Sequence, residues 1–235
     1  MTYTVIATGS KGNAVVLNDC ILIDCGVPFK KLDDVYGNLR IVLLTHVHGD
    51  HFNKRTVKKL AAERPTLRFA CGAYLVPGLL QCGVSKRSID VVEAGKIYHY
   101  KSFAISPVIL YHDVQNFGYR IFWGGEKAIY ATDTGTLDGI SAKGYDLYLI
   151  EANYTDAELK ERLIAKRRNG EYAYEKRVPY THLSQQQADD FICENAGVKS
   201  EVVYLHKHGG VARDSDGESD RLRWAEHGDC SGSAD

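Results

Sequence analysis

The segment Thr45-His46-Val47-His48-Gly49-Asp50-His51 follows directly on the apolar run Ile41 to Leu44, and it constrains the chain more than any other feature. A buried strand that ends in four potential ligands within six residues delivers them to a loop at a sheet edge, where imidazoles and a carboxylate converge. Three histidines and an aspartate are costly to desolvate there without a partner, whereas a divalent cation accepts neutral imidazole nitrogen and carboxylate oxygen directly. The competing reading is a solvated polar loop.

Strand-like runs alternate with turn signals on either side of this cluster. TVIAT, AVVLN, CILIDC and IVLLT precede it. After it, Arg55 to Glu63 has helical composition with Val57, Leu60 and Ala61 at core spacing, and LRFAC returns to strand. Further strands are read at IDVVE, KIYHY, FAISPVILY, FGYRIFW, KAIYAT and YDLYLIEA, with FWGGEKA as a hairpin turn. Thr155 with Glu158 forms a capping box opening DAELKERLIAKRR, which Gly170 closes; Ser184 with Gln187 opens QQQADDFICENA, which Gly197 closes. A last strand, EVVYL, runs into His206. From Val211 onward apolar periodicity gives way to Asp, Ser and Gly. The reading is therefore one domain over residues 1–210 and a polar, disordered tail over 211–235 that adds nothing to the core.

A chain of 235 residues with 44% hydrophobic and 25% charged residues fits one large core, and a formal charge of -1 gives no global pull toward nucleic acid or membrane. A polyanion must be held by a local patch. The amino terminus lacks a basic region followed by a long apolar one, and no stretch reaches the length of a spanning helix, so a cytoplasmic protein without membrane contact is expected. Six cysteines (Cys20, Cys25, Cys71, Cys82, Cys193, Cys230) form no CxxC pair, and several lie in apolar runs as small hydrophobes.

The HxHxDH run resembles the signature of the metallo-β-lactamase superfamily, and single positions further along resemble that family's other landmarks in order. Asp24 in LIDCG resembles its early structural aspartate, His112 in LYHDVQNFGY the third histidine of the first metal site, Asp133 in IYATDTG the bridging aspartate, and His206 in VVYLHKH the last ligand. His208, two residues on along the same face, competes for that last role. The resemblance covers roughly residues 4 to 208. It implies an α/β (α+β) fold, a four-layer αββα sandwich of two mixed β-sheets flanked by helices. It also implies two divalent ions, zinc or manganese with iron also compatible. His46, His48 and His112 hold one, Asp50, His51 and His206 the other, and Asp133 lies between them. Two ions about 3.5–4 Å apart share a water and lower its pKa, so the implied nucleophile is a bridging hydroxide that Asp50 also orients.

Fold and metal site do not choose a substrate. Thr181-His182-Leu183-Ser184 opens a helix, so a histidine and a free helix amino terminus face one direction, an arrangement suited to phosphate. The HLS element resembles the extra histidine motif of phosphodiesterase branches that include the tRNA 3′-processing nucleases, where it serves the scissile phosphate or the leaving oxygen. TGSKGN, LIDCG, ATDTG, IEANY and HLS together resemble the YycJ/WalJ-like group of DNA exonucleases. This chain departs from that group in having HVHGDH for HEHSDH, and LHKH where GHLS is common. Lys160, Arg162, Lys166, Arg167, Arg168, Lys176 and Arg177 form the densest basic run, against Glu161, Glu171 and Glu175, and can neutralise several phosphates. Among 15 tyrosines, Tyr154 and Tyr180 lie nearest the motifs as base-stacking candidates.

These features point to a nucleic-acid phosphodiesterase with Asp50 and His182 as its catalytic residues, a DNA exonuclease before an RNA one. The alternatives are the same chemistry on a small phosphodiester or cyclic nucleotide, and a metal-binding regulatory protein without turnover.

Overall fold

The computed structural model describes residues 1–169 and 174–207. Gly170, His208 and the tail assigned to 211–235 lie outside them. Six strands form the first sheet in chain order: β1 (Tyr3–Ala7), β2 (Ala14–Leu17), β3 (Ile21–Ile23), β4 (Ile41–Leu43), β5 (Arg68–Cys71) and β6 (Ile89–Val91). The second is built from β7 (Tyr98–His99), β8 (Phe103–Tyr111), β9 (Gln115–Trp123), β10 (Glu126–Ala131), β11 (Leu147–Glu151) and β12 (Glu201–Leu205), again neighbour to neighbour. Both sheets are mixed. β3, β4, β5 and β6 run parallel in the first, and β10, β11 and β12 run parallel in the second. The helices are α1 (Lys54–Glu63), α2 (Val76–Gln81), α3 (Asp156–Asn169), α4 (Val178–Thr181) and α5 (Gln185–Asn195).

Alternation along the strands decides how these layers stack, because successive side chains of a strand point to opposite faces. Val15, Leu17, Ile21, Ile23, Ile41 and Leu43 point inward and meet Ile105, Ile121, Tyr130, Leu147 and Leu149 of the other sheet. Their neighbours Val16, Leu22 and Val42 point outward onto Val57, Leu60 and Leu79 of α1 and α2. On the far side Ile129, Tyr148, Ile150 and Val202 pack on Ala188, Phe191 and Ile192 of α5. The strands are apolar on both faces because both faces are covered, and the result is the four-layer αββα sandwich that the motifs imply. Leu43 is fully buried between the sheets, so Leu43→Ala is expected to cost about 2–5 kcal/mol in a chemical denaturation experiment.

Topology also fixes where chemistry can occur. The parallel strands of each sheet end on one edge, and β8, antiparallel to β9, which is antiparallel to β10, ends there as well. Asp24 follows β3, Thr45 to His51 follow β4, His112 follows β8, Asp133 follows β10, Glu151 ends β11 and His206 follows β12. Gly26 belongs to the same edge, since a Cβ on it would stand 1.6 Å from the Asp50 carbonyl oxygen.

Several local expectations need correction. The helix after the cluster begins at Lys54, capped by Asn53, whose side chain accepts from the Arg55 and Thr56 amides. On it Thr56 is buried, donating to the Val27 carbonyl at 2.6 Å, while Ala61 is only half-buried. Both capping boxes form. However, α5 ends at Asn195 with Ala196 extended, at φ −73° and ψ 144°, so Gly197 is not its left-handed cap. Helices α2 and α4 are too short for a periodic signal. The hairpin at FWGGEKA is present, with Gly124 and Gly125 at φ 59° and 90°. Cys20, Cys25, Cys71 and Cys82 are buried free thiols, and Cys193 on α5 is exposed. No helix among the described residues is long and apolar enough to cross a membrane.

Candidate metal centre

The shared strand edge brings seven of the sequence-selected residues together, and an eighth, His182, joins them. His46 Nε2 lies 3.2 Å from His48 Nδ1, and His46, His48 and His112 each place one ring nitrogen within 4.8 Å of the others. Asp50, His51 and His206 form a second such group, and His46, His51 and Asp133 a third that links the first two. His51 Nε2 stands 2.8 Å from Asp133 Oδ2, and His206 Nε2 stands 3.5 Å from Asp133 Oδ1. Asp133 thus sits between the two groups. His206 stands in the second group, while His208, its competitor in the sequence, lies outside the described residues.

Each histidine that turns one nitrogen inward has the other held from behind, the arrangement a ligating imidazole needs. His51 Nδ1 is 2.6 Å from Asp24 Oδ2, and Asp24 also accepts from the Thr45 amide and hydroxyl. Thr45 Oγ1 is 3.0 Å from His46 Nδ1. His112 Nδ1 donates to the Thr181 carbonyl at 2.9 Å. His48 Nε2 faces Asp113 Oδ1 at 3.4 Å, and His206 Nδ1 is 3.0 Å from Glu151 Oε1. Backbone strain marks the same residues: Asp24, Asp133 and His206 all have left-handed φ, at 59°, 58° and 57°. Residues other than glycine rarely adopt this conformation without a compensating role. Asn116 holds the bend at Asp133 by donating to the Thr132 and Asp133 carbonyls at 3.0 and 2.7 Å.

The electrostatics are those of a cluster in want of cations. Burial, helped by the neighbouring rings of His51, His112 and His48 and opposed by Asp133, lowers the His46 pKa to about 2, so this imidazole is neutral. Burial likewise lowers His112. At His51 burial works against a charge, but Asp133 and Asp24 prevail and raise the pKa well above its ordinary value. His206 is raised to about 10 against its burial, by Asp133, Asp50 and Glu151. Asp133 is held well below the usual carboxylate range, the His51 and His206 charges outweighing its burial. Asp50 is lowered too, the bond with His206 and the His51 charge overcoming burial.

Two buried atoms at the middle of the cluster lack a well-formed hydrogen bond: Asp133 Oδ2, whose near neighbour is His51 Nε2 at 2.8 Å, and His206 Nε2, which stands 3.5 Å from Asp133 and 3.9 Å from Asp50. Buried polar atoms are almost always paired. Orphans of this kind, among imidazole nitrogens and carboxylate oxygens, fit divalent cations of the zinc and manganese type.

Glu151 was not selected from the sequence as a site residue. Fully buried, it places Oε1 2.6 Å from His182 Nδ1 as well as 3.0 Å from His206 Nδ1, while Oε2 accepts from the Thr134 amide at 3.1 Å. The available signal was an ionisable residue closing a strand whose other four positions are all apolar. Burial lowers the His182 pKa, but Glu151 more than compensates and the net shift is upward. Its ring stacks on His206 with centroids 5.3 Å apart. Glu151 and His182 also form a possible ligand group with Asp133 and His206. Glu151→Gln is expected to weaken binding of divalent ions about 10–100-fold, read by chelator competition, as for other outer partners of a ligating histidine.

The amino end of α5 is not free, contrary to the sequence reading. Gln185 donates its amide to the Tyr154 carbonyl at 2.8 Å, Gln187 donates to Ser184 Oγ, and the Ser184 amide to the Gln187 side chain. Of the stacking candidates, Tyr154 is 5% exposed and has no open face, whereas Tyr180 is 80% exposed. In the basic run, Lys160, Arg167, Arg168, Lys176 and Arg177 are exposed, and Arg162 and Lys166 are half-buried. They sit on and just after α3, which buries only Leu159.

Residues 20–206 match the family described as Beta-lactamase superfamily domain. No curated protein matches the chain. Among solved structures, the short form of human tRNase Z (ELAC1) superposes with a TM-score of 0.66 at 18% identity, over 88% of this chain and 93% of that one. The metallo-beta-lactamase fold protein YhfI from Bacillus subtilis gives 0.67 at 20% identity, over 89% and 87%. Zn(2+)-bound PqqB from Methylobacterium extorquens gives 0.61 at 10% identity, over 88% and 89%. At these identities the likeness is one of fold.

Proposed function

The chain belongs to the beta-lactamase superfamily, and from that premise we propose that it is a metal-dependent phosphodiesterase that acts on nucleic acid, removing nucleotides from DNA ends. In this reading the hydrolase domain spans residues 1–210. His46, His48 and His112 would hold one divalent ion and Asp50, His51 and His206 the other, with Asp133 placed between the two groups. Zinc or manganese bound there supplies Lewis acidity and a water that ionises near neutral pH.

The observation that carries the choice of substrate is the pair formed by His182 Nδ1 and Glu151 Oε1 at 2.6 Å, set against the cluster. Phosphodiester cleavage expels an alkoxide, a poor leaving group that needs a proton. Glu151 favours the charged form of His182, which can then donate that proton, and an imidazolium beside the reacting phosphate also opposes its negative charge. Asp50, kept ionised and only half-buried, would orient the attacking hydroxide. A thioester releases a thiolate that needs no such donor.

The nucleic-acid part of the reading is supported by the basic run on α3 and by the fold neighbour named as a tRNase Z. The DNA part rests on the likeness of TGSKGN, IEANY and HLS to the YycJ/WalJ-like exonucleases. As a test of reaction class, the metal-loaded protein is expected to hydrolyse bis-p-nitrophenyl phosphate and to leave a chromogenic cephalosporin and a thioester untouched. Turnover of the lactam or thioester with the diester intact would overturn it.

A further inference from the structure

We propose that the loop Thr8–Asn13 is a phosphate-binding element that holds the substrate strand beside the metal centre, with Lys11 as its charged tip; this rests on the nucleic-acid reading above. Both ends of the loop are tied to candidate ligands of the second ion. Thr8 Oγ1 accepts from the His206 amide at 2.7 Å. At the other end the Asn13 amide donates to the Asp50 carbonyl at 2.7 Å, and Asn13 Nδ2 lies 2.8 Å from His51 Nε2. The loop therefore bridges the first sheet's ligands to the second sheet's.

Between these anchors the chain makes one tight turn. Gly12 donates its amide to the Gly9 carbonyl at 2.9 Å, and the Gly9 amide donates to Asn13 Oδ1 at 2.8 Å. Gly9 and Gly12 have φ of 107° and 142°, and a Cβ on Gly12 would stand 2.7 Å from the Gly26 carbonyl oxygen, so the turn is pressed onto the segment beneath Asp50. Only glycine meets both demands. The outcome of this fixed geometry is a tip that buries nothing: Ser10 and Lys11 are exposed and make no hydrogen bond or ion pair among the described residues.

A rigid, glycine-framed turn that presents backbone amides, a hydroxyl and an unpaired ammonium suits a phosphate group. Reach agrees with this. Lys11 is two residues from Asn13, roughly 7 Å of extended chain at most, and its flexible four-carbon stem lets the ammonium meet phosphates flanking the one at the metals. The loop enters from the β1–β2 side, whereas the basic run enters with α3, so the two would hold the strand from different elements.

The test compares wild type with Lys11→Ala, Lys11→Arg and a control, Lys101→Ala. Lys101 is exposed in the turn before β8, at the end of that nine-residue strand opposite His112. Binding of the metal-loaded full chain to a phosphorothioate-linked duplex is measured as a function of salt, beside its metal content and its turnover of bis-p-nitrophenyl phosphate. Lys11→Ala is expected to reduce the slope of log affinity against log salt by about 0.9, one phosphate contact on duplex DNA. Lys11→Arg restores the slope, Lys101→Ala leaves it unchanged, and metal content and small-diester turnover stay at the wild-type level throughout. If the wild type binds the duplex and Lys11→Ala keeps the wild-type slope, the proposal is overturned while the nuclease reading stands. If the wild type turns over the small diester but binds neither DNA nor RNA, the nucleic-acid reading falls and the proposal with it.

Discussion

A chain carrying His48→Ala and Asp133→Ala together no longer retains two divalent ions. The two side chains belong to different parts of the cluster: His48 to the first three-histidine group, and Asp133 to the linking group, where its oxygens face His51 and His206. On the assignment proposed above, removing both would strip one donor from the first ion and the shared carboxylate from both. Loss of a mere outer partner already costs about 10–100-fold in metal affinity, so the double variant is expected to lose more than about 100-fold, with hydrolysis lost alongside. Elemental analysis after dialysis reads the result, and circular dichroism checks the fold. Two ions per chain in the folded variant would show that the ligands have been misassigned.

His182→Ala has the opposite signature: both ions remain and turnover falls by about 10²–10⁴-fold, the range for loss of a general acid. The separation follows from position. Glu151 holds His182 through Nδ1, and His182 Nδ1 is 3.5 Å from Asp133 Oδ1. In the proposed assignment, however, the last ligand is His206, whose Nε2 is turned to Asp133 and Asp50. Loss of an ion from His182→Ala would instead make it a ligand, as its membership of a group with Asp133, Glu151 and His206 allows.

The sequence disclosed those parts of the centre whose signal is local. His46, His48, Asp50 and His51 are legible because a dense ligand run at the end of an apolar strand has few other uses. His112, Asp133 and His206 become legible as an ordered set, each following a strand, since parallel topology then carries all of them to one edge. The two sheets and their helices follow from period-two patterning and from two capping boxes. What escaped depends on contacts between distant segments. Glu151 is one carboxylate ending an apolar strand, and its role exists only because His182 and His206, 31 and 55 residues away, fold onto it. At the amino end of α5 the Ser184–Gln187 capping box is local, but the burial of Tyr154 and the capture of the Gln185 amide by its carbonyl come from a bridge between Tyr154 and Ser184 that no local pattern announces. Asn13 reads as a turn residue and is found against His51 Nε2.

The most direct test of the central claim is hydrolysis of 5′-phosphorylated duplex DNA, single-stranded DNA and RNA in the presence of manganese or zinc, beside bis-p-nitrophenyl phosphate and with Asp50→Ala as the control. The account predicts progressive release of nucleotides from DNA by the wild type and none by the variant. Turnover of the small diester with every polymer left intact would contradict it.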